Sequence, residues 1–298
     1  EIISKLKDGE RNIIETSFQA SDKFKSIASL AGKPKPSAFV TIQEGCDKFC
    51  TFCVVPYTRG KEVSRSQRDI LNEIREGAKK GVKEVILLGQ NVNAYNFEGI
   101  SFSSLIYSLA EIDEIKRIRF MTSHPRDMTD ELITAFGNIP KLMPFLHLPV
   151  QSGSNRILKS MNRGHLVEEY VEIVNKLRSV RGDICFSSDF IVGYPGETDK
   201  DFQETIDLCE QVEFAQAYSF NYSSRPGTPA SRKDELNESL KKTRLHILQD
   251  LLGKQQTTFL KEQKNTQQKV LFEKVGRGTD EYVGRTEQFS PVTVVNKE

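Results

Sequence analysis

The stretch Ala38-Phe39-Val40-Thr41-Ile42-Gln43-Glu44-Gly45-Cys46-Asp47-Lys48-Phe49-Cys50-Thr51-Phe52-Cys53 joins a short apolar run to three cysteines within eight residues. Ala38 to Ile42 predicts a strand, and the cysteines follow it in a loop. Three thiolates spaced C-x3-C-x2-C can wrap one corner of a metal centre without help from secondary structure. The number of ligands then decides the chemistry. Structural zinc normally takes four ligands, and an iron–sulfur centre used only for electron transfer takes four cysteines. Three cysteines leave one iron of a [4Fe–4S] cluster open to chelate a small molecule. The alternative is a Cys3His zinc site. No histidine lies near the triplet, and His124, His147, His165 and His246 are scattered, although His124 and His147 are predicted at strand ends. Cys185 and Cys209 fall in a predicted strand and on an apolar helix face, where inert buried thiols are the default.

Outward from this stretch, strands and helices alternate. A helix is predicted from about Ser66 to Lys80, with Ile70, Leu71, Ile74 and Ala78 on one face, Ser66 and Asp69 as a capping-box-like start and Gly81 as the stop. Val85 to Leu88 reads as a strand covered on both faces. The series continues as helix 102–112, strand 117–122, helix 129–136, strand 145–150, helices 155–161 and 167–180, and strand 184–192. A Gly193-Tyr194-Pro195-Gly196 loop, a helix capped by Thr198 with Asp201 three residues on, and strand 215–222 complete it. Six strands separated by helices predict an α/β fold of right-handed βαβ units, with a parallel sheet open or curled into part of a barrel. Such folds gather their chemistry at the carboxyl ends of the strands.

Beyond Ser223 the pattern changes. A turn-rich segment, 224–229, leads into a long amphipathic helix from Glu235 to about Gln263, read through Leu236, Leu240, Leu245, Leu248, Leu251 and Leu252. Short strand candidates at 269–272, 282–285 and 292–295 predict a small all-β module that the chain leaves incomplete. Upstream, Lys33-Pro34-Lys35-Pro36 reads as an extended linker. The domain expectation is therefore a linker or remnant over 1–36, a core over 37–229, a helical extension over 230–262 and a partial β module over 263–298.

Forty-two Lys and Arg against 41 Asp and Glu in 298 residues leave a net charge of +1, so any nucleic-acid binding must come from local patches. The apolar runs fall far short of the roughly 18 residues that span a bilayer, and no signal segment opens the chain. Five cysteines, three of them clustered, suit metal ligation in a reducing compartment better than a secreted disulfide framework. A cytoplasmic protein with no membrane partner is expected. The chain lacks an initiator Met and is read as part of a longer protein.

Cys46 to Cys53, with the aromatic Phe52 before the last cysteine, resembles the signature of radical S-adenosylmethionine (SAM) enzymes. The resemblance implies a (β/α)6 partial TIM-type barrel in which the reduced cluster, held by Cys46, Cys50 and Cys53, passes one electron to bound SAM and releases a 5′-deoxyadenosyl radical. It also implies an electron donor such as flavodoxin or ferredoxin. Flanking segments are similar to the methylthiotransferases within that family: Glu44-Gly45, residues 54–60, Gly89 to Tyr95, Met121 to Pro125, Leu148 to Ser154 and Gly193 to Thr198. The Gln90-Asn91-Val92-Asn93-Ala94-Tyr95 and Thr122-Ser123-His124-Pro125 pieces are closest to the branch acting on tRNA, at an isopentenyl-modified adenosine in the anticodon loop. The all-β tail resembles the TRAM module, a small RNA-binding barrel, here truncated.

The site candidates follow the strand ends. Gln90 and Asn91 follow the second strand, Ser123 and His124 the third, and Gln151 and Ser152 the fourth; all are candidates for SAM, as is Phe52, and each alone reads equally as an ordinary turn or capping residue. Gly193 and Gly196 allow close backbone approach to adenine, although a Pro-Gly turn before a helix is common without a ligand. Arg59, Lys61, Arg65 and Arg68 form a basic run that fits tRNA phosphates or a solvated helix start. Members of the family carry a second cluster on three further cysteines in an N-terminal domain. No cysteine precedes Cys46, so that cluster, the sulfur source, is expected only in the full-length parent. The rival substrates are threonylcarbamoyl-adenosine in tRNA and a ribosomal-protein aspartate, and the rival class is a non-catalytic iron–sulfur or zinc RNA-binding module.

Overall fold

The computed structural model describes Lys23, Phe24 and residues 35–278 and 280–295. Most of the predicted 1–36 segment lies outside the described residues. Among the longer elements, β1 (Ser37–Thr41), β2 (Glu84–Leu88), β3 (Arg117–Phe120), β4 (Phe145–His147), β5 (Cys185–Val192) and β6 (Gln216–Asn221) all run parallel to their neighbours. They form two triplets, β1-β2-β3 and β4-β5-β6. Ile118 of β3 joins the triplets by donating to Lys141 O at 2.7 Å and accepting from Met143 N at 3.0 Å. Spatial order thus follows chain order, as successive right-handed crossovers require.

The crossovers are helical. Helices α1 (Gln67–Lys79), α2 (Phe102–Ala110), α3 (Asp130–Asn138), α4 (Val167–Val180) and α5 (Asp199–Val212) bury one stripe each. Ile70 and Ile74 of α1 are fully buried with Val40 and Val85. Phe120 meets Phe102 at 5.0 Å and Phe136 at 5.9 Å. Each such side chain contributes about 1.5–3 kcal/mol by leaving water. The predicted caps form: Ser66 accepts from Asp69 N at 3.1 Å, and Thr198 and Asp201 make a reciprocal capping box.

Two expectations differ from the structure. The strand predicted over 145–150 ends its ladder at His147, because Pro149 has no N–H to donate. Pairing resumes at Gln151, whose N donates to Asp189 O at 2.9 Å. The long helix, α6 (Glu238–Glu262), buries Lys241, Arg244, Leu248 and Leu252, while the predicted Leu240 is exposed. The buried stripe keeps helical spacing, but two of its positions are charged. Arg244 pairs with Glu197 and Asp199, both at 2.7 Å, and Lys241 reaches Glu235 at 2.9 Å. Long stems pack while their heads find partners, which apolar periodicity does not register.

The tail forms an antiparallel sheet of β7 (Leu271–Val275), β8 (Glu281–Arg285) and β9 (Pro291–Val295). It sits on the face of β3 opposite the helices. Arg117 donates to Arg285 O and Lys269 O, each at 2.9 Å. Arg119 donates to Thr286 O and Glu287 O at 2.8 Å and to Glu84 Oε2 at 2.7 Å. Two guanidinium forks thereby satisfy a row of backbone carbonyls. Among the described residues, no helix is long and apolar enough to cross a membrane.

Candidate metal and cofactor site

All the loops that follow β1 to β5 lie at one end of the parallel array, and the cysteine loop is the first of them. Its entry depends on Gly45, at φ +88°, where a Cβ would stand 2.0 Å from Lys61 O. Gln43 Nε2 donates to Gly45 O at 2.7 Å, and Gly45 N donates to Gln90 Oε1 at 2.6 Å. Thr51 closes the other side, donating from N to Met161 O at 3.0 Å and sharing a hydrogen bond with the Tyr194 hydroxyl at 2.8 Å. Asn162 Nδ2 reaches Phe49 O at 3.0 Å and Lys48 O at 3.2 Å. The loop is therefore fixed by chain segments more than a hundred residues away.

Burial sets the chemistry of the thiols. Cys50 is buried, and Cys46 and Cys53 are half-buried. Desolvation pushes the Cys46 thiol up to about 11, with further upward push from Glu62, Cys50 and Cys53. It raises Cys53 as well. Part of each upward push comes from neighbouring cysteines, Cys50 and Cys53 on Cys46 and Cys50 on Cys53. Val55 N donates to Cys53 Sγ and Arg163 Nη1 to Cys50 Sγ, each at 3.4 Å. Among the described residues, no three His, Cys, Asp or Glu side chains are arranged to hold a single metal ion. A cubane makes a different demand, one thiolate on each of three irons, so the thiols need only surround it.

Around this space, buried polar atoms stand without partners: Asn91 Oδ1, Ser123 Oγ, His124 Nε2, Arg163 Nε and His165 Nε2. Unpaired buried groups are costly, so their gathering beside the cysteine loop marks a site that a polar ligand would complete. His124 is held neutral by burial and by Arg163, His165 and Lys48 nearby. Its Nδ1 accepts from Arg126 N at 3.2 Å, which leaves the proton on Nε2 as a free donor. Burial and Arg163 also lower His165, to about 4. The two rings lie 5.8 Å apart, edge to face.

The sequence candidates divide clearly. Asn91, Ser123 and His124 come together: Val92 N donates to Thr122 O at 3.0 Å, and Asn93 and His124 exchange two hydrogen bonds. Asn91 Nδ2 also reaches Asp127 at 2.8 Å, which pairs in turn with Lys48 of the cysteine loop. Gln90 spends its carbonyl oxygen on Gly45. Phe52 packs against the Tyr194 and Tyr222 cluster beneath the loop. Gln151 adopts φ +79° at the end of the β4 segment, whereas the Ser152 hydroxyl is turned inward toward Thr205 and Ser154. Gly193 makes room for the Lys241 stem, and Gly196 faces open space. Arg59 and Lys61 are exposed, but Arg65 is turned inward to Glu73 and Thr41 O. Residues that sequence reasoning missed are Asn162, Arg163 and His165, on the turn after the 155–160 helix, and Asp127. A polar turn carries no periodic signal, and only the return of the chain buries it.

Residues 40–209 match the Radical SAM superfamily. The chain is 51% identical to the tRNA-2-methylthio-N(6)-dimethylallyladenosine synthase of Bartonella tribocorum, over 99% of this chain and 66% of that protein. It is 49% identical to the enzyme of the same name from Rickettsia typhi, over 99% and 68%. The chain thus spans about two thirds of the length of these relatives. Among solved structures, the radical SAM methyltransferase TsrM of Kitasatospora setae aligns with a TM-score of 0.56 at 15% identity, over 67% of this chain and 38% of that one. Coproporphyrinogen III oxidase (HemN) of Escherichia coli aligns at 0.55 and 19%, over 80% and 56%. At such identities the likeness is one of fold.

Proposed function

This chain belongs to the radical SAM superfamily, and we propose that its parent protein adds a methylthio group to C2 of an N6-dimethylallyl adenosine in tRNA. The observation that carries this reading is the identity of about half of all positions, across nearly the whole chain, with enzymes named for that reaction. In this reading β1 to β6 make the partial barrel over 37–229, residues 230–262 extend it, and β7 to β9 belong to a TRAM-like RNA-binding module over 263–298.

Cys46, Cys50 and Cys53 would hold the [4Fe–4S] cluster. Bound there with SAM, it supplies the electron for reductive cleavage of SAM and hence the power to abstract hydrogen. The rest is the work of the chain. The cysteine loop, buried on one side by Thr51, Phe52 and Tyr194, keeps water from the centre. His124 offers a neutral N–H donor to the carboxylate of SAM, Asn91 Oδ1 accepts from its amino group, and the Ser123 hydroxyl donates to or accepts from its ribose. Arg59 and Lys61, exposed just past the loop, meet tRNA phosphates. The inserted sulfur comes from a second cluster elsewhere in the parent, and a flavodoxin or ferredoxin supplies electrons.

Mass spectrometry of tRNA nucleosides from a deletion strain tests the assignment. Loss of 2-methylthio-N6-dimethylallyladenosine, with its unthiolated precursor accumulating, is the expected result. An unchanged level of that nucleoside, with loss of a methylthiolated threonylcarbamoyl-adenosine or ribosomal aspartate instead, would overturn it.

A further inference from the structure

A cavity of about 600 Å³ lies between the strand array, α6 and the turn joining β8 to β9, a size ordinary for a small-molecule pocket. Its two ends differ. One reaches Thr122 and His147, at the strand ends that also carry the cysteine loop. The other is apolar: Phe145 at the start of β4, Ala215 just before β6, Phe259 and Leu260 of α6, and Phe289 of the β8–β9 turn. Phe289 is set deliberately. Its backbone sits at φ +67°, a conformation that costs a non-glycine residue free energy. Its ring is held 5.3 Å from Phe145, with Arg119 and Arg285 each 4.8 Å from its centroid.

The electrostatics of the lining select the ligand. Arg285, which carries the full charge there, is neutralised by Glu273 at 2.6 Å, so the cavity favours a neutral group over a phosphate. Gln288 Oε1, also in the lining, is buried with no hydrogen-bond partner. It is an acceptor waiting for one donor. An N6-alkylated adenine presents one N6–H beside an apolar tail, and its C2–H diverges from that tail across N1.

Building on the tRNA reading above, we propose that this cavity receives the adenine base with its N6 alkyl tail against Phe289, Phe145 and Leu260, and that Gln288 Oε1 accepts the N6–H. The β-module then supplies the floor of the base pocket and reads the N6 substituent, and C2 is presented toward the end that carries the cysteines.

The test is fluorescence polarisation of the full chain, cluster reconstituted, with two anticodon stem-loop RNAs that differ only in an N6-dimethylallyl group. Burial of the tail predicts roughly tenfold or more tighter binding of the alkylated RNA. Phe289→Ala and Leu260→Ala each lower that ratio several-fold toward unity. Leu260 is half exposed on α6, so its variant reports even where Phe289→Ala disturbs the module. Equal binding of both RNAs by the native chain, or a ratio retained in both variants, overturns the pocket while leaving the tRNA reading intact. Binding of neither RNA above a scrambled hairpin overturns both.

Discussion

Arg163 Nη1 donates to Cys50 Sγ at 3.4 Å, while its Nη2 is tied to Pro149 O at 2.6 Å. In the proposed reading Cys50 holds the cluster, and a buried cation with an N–H directed at its thiolate stabilises the more negative, reduced state. Arg163→Gln is predicted to lower the midpoint potential of the reconstituted cluster by about 60 mV, a tenfold fall in the ratio of reduced to oxidised cluster at fixed potential for a one-electron couple. A redox titration followed by electron paramagnetic resonance measures it, and Arg163→Lys, which keeps the charge, shifts less. An unchanged midpoint with full iron content would show that the contact only holds the loop.

Burial lowers the His165 imidazole to about 4, below its ordinary 6.5. Between those values the unfolded chain takes up a proton that the folded chain refuses, so stability falls as pH falls through about 6.5 toward 4 and is flat in this respect above neutrality. The full loss from this one group is roughly 3 kcal/mol at most. Urea unfolding of the cluster-free chain at pH 7 and pH 5 measures it. His165→Phe is expected to lose less stability between the two pH values than the native chain. Parallel losses would remove His165 from the account.

Gly193, at φ +70°, meets α6 through Lys241, whose Cγ would lie 2.3 Å from an added Cβ. Backbone strain and overpacking together predict that Gly193→Ala destabilises the chain by about 2–4 kcal/mol. The loss should appear in denaturant midpoints. If instead only SAM affinity falls, with stability unchanged, this glycine serves the ligand and not the packing of α6.

The alternation that fixes the fold was legible because each strand and crossover helix signals itself locally: Val85 to Leu88 by continuous apolarity, α1 by Ile70 and Ile74, and α5 by the Thr198 and Asp201 cap. That Cys46, Cys50 and Cys53 share one loop was legible from spacing alone. What escaped was contact made at long range. Arg163 looks like a solvated residue after a short helix, yet it closes on Cys50 across 113 positions. Lys241 and Arg244 look like surface charges, yet they occupy the buried stripe of α6. Arg65 differs in the opposite sense: proximity in sequence groups it with exposed Arg59 and Lys61, and Glu73 on α1 draws it inward.

In the proposed reading, Cys46, Cys50 and Cys53 carry a cluster that activates SAM. Anaerobic reconstitution of the chain, followed by chromatographic assay of 5′-deoxyadenosine after addition of SAM and dithionite, tests it most directly. Nucleoside release by the native chain, abolished by each of Cys46→Ala, Cys50→Ala and Cys53→Ala but retained in Cys185→Ala, is the predicted result. A chain that binds a full [4Fe–4S] complement and releases none, or a Cys50→Ala variant that still cleaves SAM, would contradict it.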